Sequence, residues 1–148
     1  MKVVLKGIFL ILTLSVPVWS AQQGKGGAVY VEANTPDTVG TRLAYQLREQ
    51  LRSSRGLQLA GTEADSFMQI NLVTLDPDNN NGLRTIYSAV ITAHQLGNPT
   101  ARIYLTNIVG ACGGNRVTWC VDSLAADIDE WSTTIQYELL KMLRDSKK

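Results

Sequence analysis

One histidine and two cysteines are all that the 148 residues offer of the side chains most used for transition-metal binding. A tetrahedral zinc site draws its ligands chiefly from those types, so zinc is not expected and no metal site is assigned. Charged residues are scarce, at 18%. A leader that takes Lys2 and Lys6 with it leaves 12 basic against 13 acidic residues. Nucleic-acid binders carry a basic excess, so no nucleic-acid partner is expected. No apolar run reaches the ~20 residues that a membrane helix needs. Composition is otherwise globular, with 45% apolar and 7% aromatic residues, which excludes a disordered or collagen-like chain.

The longest apolar run is Gly7 to Trp19, behind the short basic start Met1–Lys6. Val18-Trp19-Ser20 places small-enough side chains at the −3 and −1 positions of a cleavage site. Basic start, short apolar stretch and cleavage site read as a secretory signal peptide over residues 1–20. The alternative, a membrane anchor, is cut short by Pro17 and by Gln22, Gln23 and Lys25. The expected product begins at Ala21 and is soluble, in the periplasm or outside the cell. In that oxidising setting Cys112 and Cys120, with seven residues between them, are expected to form a structural disulfide. The C-x-x-C spacing of redox pairs is absent.

Residues 21–27 form a flexible lead-in, and residues 28–148 a single domain. Ala28–Ala33 reads as a strand. Thr35 is the expected N-cap of a helix with Pro36 at its first position. Val39, Leu43, Leu47 and Leu51 make its apolar stripe. Arg55-Gly56 ends it, with Gly56 able to take the left-handed conformation. Leu57–Ala60, Phe67–Leu75, Thr85–Gln95, Ala101–Val109 and Arg116–Val121 read as strands. Ser123 caps a terminal helix whose core face is Leu124, Ile128, Trp131, Ile135, Leu139 and Met142. The order β-α-β-β-β-β-β-α, with a meander of short turns, implies an α+β two-layer sandwich: a mostly antiparallel sheet with two helices on one face.

The two long strands carry apolar groups at both parities, unlike a sheet covered on one face only. Tyr87, Ala89, Ile91, Tyr104 and Ile108 are therefore candidates for a face that meets a partner, against the plainer reading of an ordinary exposed sheet. Arg48, Arg52 and Arg55 share a flank of the first helix and could meet an anionic partner, or simply be its solvated side.

Catalytic candidates are few. His94, near a strand end, would need an orienting carboxylate such as Asp65 and a nucleophile, and no G-x-S-x-G signature is present. Asp76-Pro-Asp-Asn-Asn-Asn-Gly82 lacks the glycine and glutamate positions of a helix-loop-helix calcium site and reads as a hairpin loop. Gly24, Gly26 and Gly27 precede a strand, so they are not a phosphate cradle. No cofactor is assigned.

Val29-Tyr-Val31, the helix RLAYQLREQLRSSRGLQL, and Ala64-Asp65 leading into Phe67–Leu75 resemble an envelope α/β module. That module occurs in Tol translocation protein amino-terminal domains, curli secretion subunits and outer-membrane activators of peptidoglycan synthases. The resemblance implies a non-enzymatic scaffold acting through protein contacts, with no catalytic residue to carry over. Several of those proteins bear a lipid-anchoring cysteine, which this chain lacks. The expectation is an exported binding or assembly domain of the bacterial envelope, meeting another envelope protein or itself. The alternatives are a small secreted hydrolase or ligand-binding enzyme using His94, and a secreted effector or inhibitor.

Overall fold

The computed structural model describes residues 27–78, 82–95 and 98–145. The expected leader and most of the lead-in lie outside them. The elements are β1 (Ala28–Asn34), α1 (Thr38–Ser53), β2 (Gln58–Leu59), β3 (Met68–Leu75), β4 (Arg84–Gln95), β5 (Asn98–Gly113) and α2 (Val117–Asp145). They form an α+β fold with a five-stranded mixed sheet in the order β2-β1-β3-β4-β5. β1 pairs parallel with both β2 and β3, while β3, β4 and β5 form the expected antiparallel meander.

The strand expected at Arg116–Val121 is the start of α2 instead, so the sheet has one strand fewer than the sequence suggested. Val117, Thr118 and Trp119 favour strands locally. Tertiary packing overrides them, because Val117, Cys120, Val121, Leu124 and Ile128 are buried at helical spacing and extend one apolar stripe. The Cys112–Cys120 disulfide, with Cα atoms 6.1 Å apart, ties the end of β5 to the first turns of this helix. On a chain-entropy account, closing so short a loop stabilises the fold by ~2–3 kcal/mol.

Both helices share one core with one face of the sheet. Leu43, Leu47 and Leu51 of α1 and Leu124 and Ile128 of α2 meet Val29, Met68, Ile70, Leu72, Ala89 and Ile91. Each large aliphatic side chain taken from water contributes ~1.5–3 kcal/mol. Gly110 is required here: a Cβ would lie 2.6 Å from the ring of Tyr87, its cross-strand neighbour. Tyr87 therefore fills the space over the glycine. Its hydroxyl pKa is pushed up by burial and, secondarily, by the negative charge of Asp127.

The start of α1 also departs from expectation. Asp37, not Thr35, is the N-cap. Its Oδ1 accepts from the Gly40 amide at 2.7 Å, and its Oδ2 accepts from the hydroxyls of Thr74 at 2.6 Å and Thr85 at 3.0 Å. One carboxylate thus pins α1 to β3 and β4, a linkage that no threonine could make. The helix ends at Ser53 with Ser54 extended, and the Ser54 hydroxyl accepts from the amides of Gly56 and Leu57. Gly56 is not left-handed; Gly82 is, at φ 71°.

Candidate binding surfaces

The face of the sheet that carries no helix among the described residues follows directly from the register. Val29, Val31, Met68, Ile70, Leu72, Tyr87, Ala89 and Ile91 point into the core, so their strand neighbours point away. One row across β3, β4 and β5 is Leu75, Ile86 and Ala111; the next is Val73, Ser88 and Val109. Leu75 is 63% exposed, Val73 50%, Ile86 43% and Val109 65%. Four exposed aliphatic side chains side by side make an apolar patch, the kind of surface that marks an interaction site. At the other end the face turns polar. Tyr30, Gln69, Thr92 and Tyr104 form a row there. Gln69 donates to Glu32 at 2.9 Å and to Asn71 at 3.1 Å.

The partner-facing residues expected from sequence are therefore corrected. Tyr87, Ala89 and Ile91 are buried in the core, and Ile108 packs against it. Their opposite parity, Ile86 and Val90, carries the open face. Tyr104 does lie on it, 63% exposed and in register with Thr92. Both parities of β4 are apolar, so the pattern announced two apolar faces without saying which one the helices cover. A register shift between Ile91 and Thr92 then changes the phase of β5, which places Tyr104 and Ile108 on opposite sides.

A second surface is a concave, mostly apolar groove of about 450 Å³ between the far half of α2 and the β4–β5 end of the sheet. Phe67, Ala93, Ile103, Leu105, Trp131 and Ile135 line it, with His94, Thr134, Glu138 and Met142. Its size is that of a small-ligand site. The expected core stripe of α2 thus holds over Leu124 and Ile128, but Trp131 and Ile135 are only half-buried and Met142 is 60% exposed. The side chain of Leu139 lies outside the described residues.

His94 sits on the wall of this groove. Its amide donates to the Phe67 carbonyl at 3.1 Å, and its cross-strand neighbour Arg102 forms an ion pair with Glu63. Asp65 lies exposed on the β2–β3 connector and accepts from the Thr62 hydroxyl at 2.7 Å.

The arginine stripe is divided. Arg48 donates to the Val31 carbonyl at 3.1 Å, Arg52 pairs with Glu49, and Arg55 falls beyond the end of α1. Only Arg52 is neutralised by a counter-charge among the described residues; the bond from Arg48 to a neutral carbonyl fixes its position and leaves its charge in place.

In the Asp76–Gly82 loop, residues 79–81 lie outside the described set. Asp76 accepts from the amides of Asp78 and Gly82, and Asp78 takes two bonds from Arg84 at 2.7 and 3.1 Å. The Arg84 guanidinium holds the Asp78 carboxyl below its ordinary range. Both carboxylates therefore work as turn and hairpin clasps. Among the described residues no helix is long and apolar enough to cross a membrane. No protein-family model matches the chain, and none of the curated proteins matches it.

Proposed function

We propose that the chain is an exported, non-enzymatic binding domain of the bacterial cell envelope that engages a protein through the open face of its sheet. The single observation that carries this reading is the contiguous aliphatic patch of Val73, Leu75, Ile86 and Val109 on a face that no helix covers among the described residues. The disulfide is compatible with an oxidising compartment, and the basic-apolar start supports export. Replacing Val73 and Ile86 together with lysine is expected to abolish capture of a defined protein from envelope extract. The thermal melt should stay within a few degrees of wild type, because both side chains already face solvent. Undiminished capture by the double variant would contradict the reading.

The concave setting of His94 supports a second reading, in which the 450 Å³ groove holds a small apolar ligand and the histidine acts on it. Turnover of short acyl esters that His94→Ala removes would favour this reading over the first.

A further inference from the structure

We propose that the polar half of the open face binds a neutral saccharide, in a depression between β1 and β3. This site goes beyond the protein contact read from the aliphatic patch and stands without it. Glu32, Ala33 and Asn34 of β1 and Asn71, Leu72 and Val73 of β3 line a depression of about 240 Å³. Glu32 is in register with Asn71, and Asn34 with Val73. Leu72 is buried in the core, so Glu32, Asn34, Asn71 and Val73 are the side chains on the open face. The volume is below that of a drug-sized pocket and suits a single sugar ring. Gln69 forms the back of the site and is 1% exposed. Its Nε2 donates to Glu32 Oε2 at 2.9 Å and to Asn71 Oδ1 at 3.1 Å. Two acceptors on one side fix the amide's orientation, since a flip would set its oxygen against both.

That orientation carries a cost. Gln69 Oε1 and the hydroxyl of Thr92, its neighbour in register, are buried with no hydrogen-bond partner among the described residues. Buried polar atoms are almost always paired, and a leucine at position 69 would fill the space without the penalty. The buried amide is explained by what it positions: the Glu32 carboxylate and the Asn71 amide, held side by side. Three features then select a saccharide. Glu32 Oε1 accepts and Asn71 Nδ2 donates, which matches neighbouring hydroxyls that each give and take a bond. Glu32 is the one charged residue of the lining, so a phosphate or other anion is repelled. The adjoining row, Tyr30, Gln69, Thr92 and Tyr104, has a tyrosine at each end, three strand spacings or ~14 Å apart. Tyr104 is 63% exposed, and such a ring offers an apolar face to the C–H side of a sugar and a polar tip to its hydroxyls. A peptide added along the β1 edge fits less well, because the Arg48 guanidinium already bonds the Val31 carbonyl next to Glu32.

The test expresses the chain with its own leader and titrates the purified protein with cellotriose, maltotriose and triacetylchitotriose, followed by amide NMR shifts. At least one trisaccharide is expected to bind saturably, with a Kd of about 1 mM or tighter, and to shift the amides of Glu32, Asn34 and Asn71. Asn71→Ala and Gln69→Leu are each expected to weaken it by about tenfold. Gln69→Leu separates positioning from packing, because its melt should hold or rise while affinity falls. Tyr104→Ala should also weaken binding, and Ile86→Lys should leave it unchanged. No saturable binding by any of the three overturns the proposal. Binding undiminished in both Asn71→Ala and Gln69→Leu overturns it too, as do shifts centred on the groove beside Trp131. Saccharide binding by a chain that captures no envelope protein sustains this site and sinks the protein-binding reading alone. Capture that Ile86→Lys abolishes, in a chain that binds no saccharide, does the reverse.

Discussion

Asp37→Ala is expected to lower the unfolding free energy by about 3–4 kcal/mol, read by urea denaturation. The loss of an N-cap costs ~1–2 kcal/mol, and two buried hydroxyls left without their charged acceptor cost ~1 kcal/mol or more each. Asp37 is only 4% exposed, and its three bonds join α1 to β3 and β4. The Thr85 hydroxyl keeps the Leu75 and Ile86 carbonyls at 3.3 Å as fallback acceptors, so the lower end of the expected range applies if it turns to them. Thr85→Val, which removes only one of the three bonds, should cost about 1–2 kcal/mol. The carboxylate also carries a pH signature. Burial raises its pKa, but the bonds from Thr74, Gly40 and Thr85 outweigh burial and hold it below 3.8. A carboxylate depressed in the folded state stabilises above its unfolded pKa, and that contribution is lost as pH falls through the lower folded value. Wild type should therefore lose stability below about pH 4 more steeply than Asp37→Ala.

Leu47→Asp is expected to leave the chain unfolded at neutral pH, by circular dichroism and by loss of a cooperative melt. Leu47 is fully buried between α1 and the sheet, and an unpaired carboxylate there would cost several kcal/mol, a large fraction of a small domain's stability. Ile135→Asp is expected to fold, with a loss of about 1–2 kcal/mol. Ile135 is half-buried on the groove wall, where water reaches the substituted group. Periodicity alone gives the two positions equal weight, since both lie on apolar stripes. The structure separates them, because α2 packs on the sheet at Leu124 and Ile128 and leaves a groove farther along.

The same contrast shows where sequence reasoning holds. The stripe Val39, Leu43, Leu47 and Leu51 was legible because charged and polar residues occupy the other faces of α1. β3 was legible because Met68, Ile70 and Leu72 alternate with Gln69 and Asn71. The disulfide followed from the cysteine count and the expectation of export. Where a segment is apolar on both faces, the pattern loses its phase. In β4 that inverted the partner-facing assignment, which the packing of the helices on Tyr87, Ala89 and Ile91 resolves, while the pairing of Ile91 with Thr106 and Thr92 with Tyr104 sets the phase of β5. Val117–Val121 misled for a related reason, since β-branched residues and a tryptophan favour strands until a buried stripe and a disulfide make them helical. The Asp37 triad was invisible because its members are 37 and 48 residues apart in sequence, a long-range bond that no local pattern carries. The groove was equally hidden, since it depends on how far α2 stands from the sheet.

The most direct measurement is photo-cross-linking in living cells, with the reactive side chain placed at Ile86 on the open sheet face or at Tyr45 on the exposed side of α1. Both positions are solvent-accessible in the isolated chain, at 43% and 63%. A binding domain that works through the sheet face predicts a discrete protein adduct from position 86 and none from position 45. Adducts from position 45 alone would contradict it.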